Sequence, residues 1–166
     1  QYLPYLEELN LKNNTVETSS LKGLNNLRKL FLQQNLIKDM SGISTLHNLE
    51  VLDLENNPIQ NISIIESLSN LKNFNIDNNH IVNILGIEHL QNLEVLHLGM
   101  NRITDIASVN ALSNLQELYL YHNSISYLPI LDNLHKLERL HLENNQITDI
   151  SRLSKLKHLK KLNIGP

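Results

Sequence analysis

Aliphatic residues recur along the chain in a frame that repeats about every 22 residues. The segment around Leu96 and Leu98 alternates apolar and polar positions, which predicts a short strand with one buried face. The apolar residues that follow stand three positions apart, which fits a turn of 3-10 helix or an extended chain better than a long α-helix. One copy of the frame consists of Leu93, Leu96, Leu98, Ile103, Ile106, Val109 and Leu112.

One asparagine follows the predicted strand in each copy, first at an interval of 21 residues and then at five intervals of 22. The chain must turn sharply there, and buried backbone N–H and C=O groups need hydrogen-bond partners. An asparagine side chain offers both a donor and an acceptor, so we expect it to bridge the turns of adjacent copies. This asparagine ladder comprises Asn14, Asn35, Asn57, Asn79, Asn101, Asn123 and Asn145.

The frame covers almost the whole chain and is the pattern of a leucine-rich repeat. It predicts an α/β solenoid, a right-handed superhelix with a parallel β-sheet on its concave face and short 3-10 or extended segments on its convex face. We expect one domain over residues 1–166, with about seven repeats and a partial eighth. The first repeat is one residue short, and its segment 17–20 lacks the apolar residue of later repeats. Neither end carries a polar cap, which predicts a fragment of a longer protein that can self-associate end to end.

The composition and motifs of the chain argue against several classes of function. The chain is 41% hydrophobic and only 4% aromatic, so its core is aliphatic, and its net charge of −3 does not favour a nucleic-acid partner. It contains no cysteine and no apolar run long enough for a membrane span. No nucleophile–His–acid set, phosphate loop or zinc motif is present, so we predict no enzyme, no cofactor and no metal site. The sequons at Asn13 and Asn61 matter only in a secretory context.

Outward-facing strand positions are the ones that can carry specific binding while the frame stays constant. They contain an acidic cluster, formed by Asp53, Glu55 and Asp77, and then a row of ring-bearing side chains. Exposed aromatic and arginine residues are typical interface anchors. The alternative is that the rings only pack on one another across strands, which also stabilises sheets. The predicted partner-binding residues are Phe31, Asp53, Glu55, Asp77, His97, Tyr119, Tyr121, Arg139, His141 and Glu143. His97 and His141 lie two strands apart, roughly 9.6 Å by strand spacing, so they cannot easily share one zinc ion.

The repeats resemble those of the regulatory subunit family of type 1 protein phosphatase. The similarity is carried by LRKLFLQQNLIKDMSGISTLHNLEVLDLENN over residues 27–57 and by LQELYLYHNSI over residues 115–125. This resemblance implies an intracellular protein whose concave acidic and aromatic residues hold a protein partner. The positions that match are Phe31, Asp53, Glu55, Asp77, Tyr119, Tyr121 and Glu143.

The repeats also resemble those of the bacterial internalins, through NQITDIS at residues 145–151 and NRITDI at residues 101–106. Internalins favour a T-N-L-T element before the strand, whereas this chain has LSNL at 68–71 and LHNL at 46–49. We therefore expect a protein-binding scaffold or regulator, with a bacterial surface adhesin and a structural spacer between flanking domains as alternatives. The cytoplasm or nucleus is favoured as the location, with the bacterial cell surface as the alternative.

Overall fold

The computed structural model describes residues 3–165 and contains one eight-stranded parallel sheet whose strands follow the order of the sequence. Each strand is three residues long, and the first seven each pair in parallel with the strand of the next repeat. The strands are β1 (Glu8–Asn10), β2 (Lys29–Phe31), β3 (Val51–Asp53), β4 (Asn73–Asn75), β5 (Val95–His97), β6 (Glu117–Tyr119), β7 (Arg139–His141) and β8 (Lys161–Asn163). This architecture confirms the predicted solenoid.

Short 3-10 helices form the return segments of five repeats, as the three-residue spacing of apolar positions predicted. They are η1 (Thr18–Leu21), η2 (Ser63–Ser67), η3 (Ile87–His89), η4 (Ala107–Ala111) and η5 (Ser151–Lys155). The connections from β2 to β3 and from β6 to β7 consist of turns and extended chain. The convex side therefore consists of short 3-10 helices and turns, and the strands form the concave face.

The inward leucines form a continuous core along the solenoid. Leu96, Leu118 and Leu140 are fully buried at the centres of β5, β6 and β7, and Phe74 fills the equivalent place in β4. Burying one such side chain contributes about 1.5–3 kcal/mol relative to leaving it in water. The inward leucines are less buried toward the C-terminal end, where Leu162 in β8 is 36% exposed.

Six of the seven ladder asparagines, all except Asn14, bridge adjacent repeats. The Asn79 Nδ2 group donates to the Leu54 carbonyl of the preceding repeat at 3.0 Å, and to Ile76 at 3.2 Å in its own turn. Its Oδ1 atom accepts the Ile59 N–H at 3.1 Å. Asn14 differs, because its amide donates only within its own turn, to the carbonyls of Leu11 and Lys12.

The residue before each ladder asparagine adopts a left-handed backbone conformation, with φ between 51° and 57°. This conformation turns the chain away from the strand and delivers the asparagine side chain inward. These residues are Asn13, Gln34, Asn56, Asn78, Met100, His122 and Asn144. Non-glycine residues are uncommon in this region, so the tight turn is imposed by the repeat and carries a local conformational cost.

The short first repeat keeps its register with the second, since Glu8 pairs with Lys29. The missing residue is absorbed on the convex side, where Thr18 is buried and its hydroxyl donates to the Asp39 carbonyl at 2.9 Å. Gly42 permits this approach, because a Cβ atom there would lie 1.8 Å from the Thr18 carbonyl oxygen. A threonine and a glycine thus replace the apolar contact of the later repeats.

A second set of asparagines, which the sequence analysis did not recognise, stands just before the strands. Each donates from Nδ2 to a carbonyl of the preceding repeat; Asn70, for example, reaches His47 at 2.8 Å. The set comprises Asn26, Asn48, Asn70, Asn92 and Asn114. Its 22-residue spacing was visible in the sequence, within the LSNL and LHNL elements.

Candidate protein-binding face

Strand register places three ring-bearing side chains side by side on the concave face, which we call the ring row: His97, Tyr119 and His141. The rings of His97 and Tyr119 stack with centroids 4.2 Å apart and planes 7° from parallel. Tyr119 and His141 follow at 4.8 Å with a tilt of 36°. Both faces of the Tyr119 ring are therefore covered, and the row presents ring edges and polar atoms to the solvent. The rings therefore do pack on one another across strands, and their edges stay exposed on the concave face.

Tyr121 reaches back over one intervening repeat to Asp77, and we call this contact the brace. Its hydroxyl donates to Asp77 Oδ2, 44 residues earlier in the chain. The ring crosses directly over Gly99, where a Cβ atom would lie 2.4 Å from the Tyr121 ring. The Gly99 N–H in turn donates to Asp77 Oδ1 at 2.6 Å. Gly99 is thus required for space, and the sequence signal was a glycine at an outward position that holds a larger side chain in neighbouring repeats.

Asp77 lies at the centre of this brace and is only 6% exposed. Burial, together with the hydrogen bond to Asp77, raises the pKa of the Tyr121 hydroxyl. Tyr121 therefore stays a protonated donor at physiological pH. His97 approaches the same carboxylate, with Nδ1 3.6 Å from Asp77 Oδ2. Within the predicted acidic cluster, Asp77 acts on neighbouring side chains of this chain and not as a free surface charge.

Glu117 ties the ring row to Arg139. The Tyr119 hydroxyl donates to Glu117 Oε2 at 2.6 Å, and this bond raises the pKa of Tyr119. The other Glu117 oxygen accepts from the Arg139 guanidinium. Arg139 remains about half exposed, so this ion pair contributes at most about 1 kcal/mol to stability. Its guanidinium is held in place at the margin of the ring row.

At the far end of the ring row, His141 Nδ1 lies 3.1 Å from Glu143 Oε1 and 3.1 Å from Asn163 Nδ2. Burial raises the pKa of Glu143, but hydrogen bonds from its own backbone N–H, Asn163 and His141 outweigh it and hold the pKa below its usual value. Glu143 is consequently ionised at neutral pH.

The remaining predicted residues lie nearer the N-terminus: Phe31 on β2, Asp53 on β3 and Glu55 two residues after β3. Asp53 accepts from Gln33 Nε2 at 2.7 Å and from the Glu55 N–H at 3.0 Å. Phe31 is partly buried and pairs in register with Asp53. The structure therefore groups Asp77, Tyr121, Arg139 and Glu143 around the ring row. Glu55 lies close enough to Tyr121 to raise the pKa of its hydroxyl, whereas Phe31 and Asp53 lie nearer the N-terminus. Whether any of them contacts a partner stays a prediction.

Within residues 3–165, no group of three or more His, Asp or Glu side chains is arranged to hold a metal ion. No helix in that part of the chain is long and apolar enough to cross a membrane. A surface depression of about 390 Å³ lies at the N-terminal repeats, where Tyr5, Asn26 and Asn48 contribute to its lining. It lies on the first three repeats, whereas the ring row lies on β5, β6 and β7.

The family described as Leucine Rich repeats (2 copies) matches the chain in five overlapping segments, at residues 25–69, 47–90, 91–133, 113–151 and 135–165. These segments span most of the sequence. The chain belongs to the leucine-rich repeat family.

Several solved structures of leucine-rich repeat proteins are similar to this chain over most of its length. An internalin (inlF) of Listeria monocytogenes is 31% identical with a TM-score of 0.89, over 94% of this chain and 47% of that one. Internalin C2 of the same species is 30% identical with a TM-score of 0.77, over 96% and 80%. A leucine-rich repeat protein of Leptospira interrogans is 29% identical with a TM-score of 0.83, over 88% and 39%. The chain thus spans about half the length of the first of these proteins.

No curated protein matches the chain in sequence. The structural comparisons confirm the resemblance to bacterial internalins, even though the threonines of the T-N-L-T element are missing. They do not specifically support the phosphatase regulatory subunit. The repeats and the internalin-like architecture support a protein-interaction module.

Proposed function

We propose that this chain binds a protein partner through the C-terminal half of its concave face. The contact surface consists of the ring row together with Tyr121, Arg139 and Glu143. The observation that carries the proposal is the bracing of this surface, in which Tyr121 and Tyr119 are each held by a carboxylate. Side chains fixed before binding lose less conformational entropy when a partner docks, which favours affinity.

The chemistry of the surface fits a protein partner. Tyrosine and arginine are enriched among the residues that dominate binding energy at protein interfaces. Because the faces of Tyr119 are covered by His97 and His141, the surface offers ring edges and hydrogen-bonding atoms. Such edges suit polar and backbone groups of a protein better than ligands that stack on an open aromatic face.

The test is affinity capture with the wild type and a Tyr119→Ala/His141→Ala variant, from lysates of the source organism and of cells it contacts. We expect a partner recovered by the wild type and lost by this variant. Tyr127→Ala/His158→Ala is the matched control, since it removes the same two residue types from exposed positions outside the ring row. Equal recovery of every partner by all three proteins would reject the ring row as the contact surface. It would favour the structural spacer.

A bacterial surface adhesin is the second candidate for the same binding role, and the 31% identity to an internalin favours it over an intracellular regulator. Antibody labelling of intact cells of the source organism distinguishes the two. Labelling of intact cells supports the adhesin, whereas labelling only after permeabilisation supports the intracellular regulator.

A further inference from the structure

Tyr121 lies flat against the backbone of the neighbouring repeat. A Cβ atom on Gly99 would lie 2.4, 2.5 and 2.7 Å from Cζ, Cε1 and Cε2 of the Tyr121 ring. Such nearly equal distances show that the face of the ring, and not its edge, rests on Gly99. The opposite face, which we call the outer face of Tyr121, therefore points away from the sheet, and the side chain is partly exposed.

The outer face of Tyr121 carries neither a stacked ring nor a cation from the described part of the chain. Its aromatic neighbour there is His122, whose ring is nearly perpendicular at 82°, with centroids 6.1 Å apart. Tyr127 differs, because the Arg152 guanidinium already lies 4.8 Å from the centroid of its ring. Tyr119 also differs, because rings cover both of its faces. The outer face of Tyr121 is therefore available to a partner.

Three carboxylates surround this ring. Burial raises the pKa of the Tyr121 hydroxyl most, followed by the hydrogen bond to Asp77 and by the charges of Asp77, Glu55 and Glu143. The three acidic residues occupy equivalent positions, each two residues after a strand: β3 for Glu55, β4 for Asp77 and β7 for Glu143. The margin of the concave face where the strands end is therefore negatively charged around Tyr121.

The chain does not neutralise these carboxylates with lysine or arginine. Within residues 3–165, the five ion pairs that a lysine or arginine forms with a carboxylate all lie at the opposite margin, where the strands begin. Asp77 and Glu143 are approached by histidines, His97 and His141. Glu55 has no basic side chain within ion-pair distance in the same residues. Positive charge at this margin is therefore left to a partner to supply.

Resting on the proposed binding role of this face, we propose that the outer face of Tyr121 is the binding site for a basic side chain of the protein partner. A cation over an aromatic face is attracted by the electron-rich ring. The surrounding carboxylates attract the same charge. An arginine fits both, because its planar guanidinium stacks on aromatic rings and donates to carboxylates. A basic segment of the partner therefore lies along this margin, with one side chain on Tyr121.

The test is an NMR titration of the isolated protein with a tetra-arginine peptide blocked at both ends. Tetra-citrulline, which has nearly the same shape without the charge, is the matched control peptide. We expect the ring resonances of Tyr121 to shift saturably with tetra-arginine and to stay unchanged with tetra-citrulline. The Tyr127 ring should not respond, because Arg152 already lies over it. A Tyr121 ring that does not move, or that moves equally with both peptides, would overturn the proposal.

Two pairs of variants locate the site. Tyr121→Leu removes the ring and should weaken tetra-arginine binding roughly 3- to 30-fold, whereas Tyr127→Leu should leave it unchanged. Glu55→Gln tests the same site without altering the brace and should weaken binding severalfold. Its matched control is Glu66→Gln, which makes the same charge change at an exposed position on η2. Equal losses in the two glutamate variants would mean that only net charge matters, and would overturn the proposal.

This titration and the affinity capture of the Tyr119→Ala/His141→Ala variant fail independently. The peptide titration needs no natural partner, so an unresponsive Tyr121 rejects the site for a basic side chain and leaves the capture result to decide the binding role. Equal capture by all proteins rejects the ring row, whatever the peptide does.

Discussion

Gly99→Ala is the change that tests the brace most directly. The new methyl group would lie 2.4 Å from the Tyr121 ring, far inside van der Waals contact. The backbone gives way less easily than the side chain, so Tyr121 must move off Gly99. Its hydroxyl then loses the hydrogen bond to Asp77. Gly99 does not have a positive φ, so alanine meets no backbone penalty that would obscure the effect.

The expected cost follows from these contacts. A hydrogen bond to a charged group contributes about 1.5–3 kcal/mol. Overpacking of a filled site costs about 1–3 kcal/mol. Tyr121 is partly exposed and its displacement relieves the overlap, so we expect a total of roughly 2 kcal/mol, at the lower end of these ranges. At about 2–4 °C per kcal/mol for a chain of this size, the melting temperature falls by roughly 4–8 °C.

A double-mutant cycle separates the clash from other causes. The free energy of unfolding is measured by chemical denaturation for the wild type, Gly99→Ala, Tyr121→Ala and the double variant. With the ring absent, Gly99→Ala should cost nothing or stabilise slightly, because alanine restricts the unfolded chain more than glycine does. The cost of Gly99→Ala should therefore appear only when Tyr121 is present.

Additive costs in this cycle would refute the reasoning. They would mean that the Tyr121 ring does not lie over Gly99 and that the brace to Asp77 does not exist. Gly23→Ala is unsuitable as a control because Gly23 has a φ of 89°, where alanine is strained. Gly165→Ala is the appropriate control, since a Cβ atom there meets nothing within 4 Å.

Two further predictions concern the ladder and the pH dependence of stability. Asn79→Ala leaves buried backbone groups without partners and should cost about 1–3 kcal/mol, whereas exposed Asn14→Ala should cost clearly less in the same denaturation experiment; equal costs would contradict the bridging role. The folded state lowers the pKa of Glu143 from 4.5, so its contribution to stability is present above that value and is lost as the pH falls through the lower folded pKa. Glu143→Gln should therefore flatten the acid side of the stability profile, and an unchanged acid slope would show that Glu143 is not held in this way.

The composition of the ring row could be predicted from the sequence because strand residues alternate between two faces. With a constant repeat length, His97, Tyr119 and His141 must occupy equivalent outward positions and become neighbours. The sequence does not determine whether these rings stack on one another. Its geometry depends on side-chain rotamers, which the spacing of residues does not determine.

The brace could not be predicted in the same way. Tyr121 and Asp77 are 44 residues apart, and their contact requires an intervening repeat without a side chain at position 99. A glycine at an outward position has several explanations in a sequence, including flexibility and a turn. Only the direction taken by the Tyr121 side chain shows that Gly99 provides space.

The sequence by itself determined the solenoid, the strand register and the inward leucines, because each repeat presents the same local pattern and neighbours can pair in only one way. The tertiary structure decided which contacts the outward side chains make with one another. Asp77, which the sequence places among surface acids, is buried and accepts hydrogen bonds from Gly99 and Tyr121. The histidines of the ring row lie beside carboxylates, His97 beside Asp77 and His141 beside Glu143. Such contacts depend on the combined shape and charge of side chains from three or more repeats, so no single repeat contains the information.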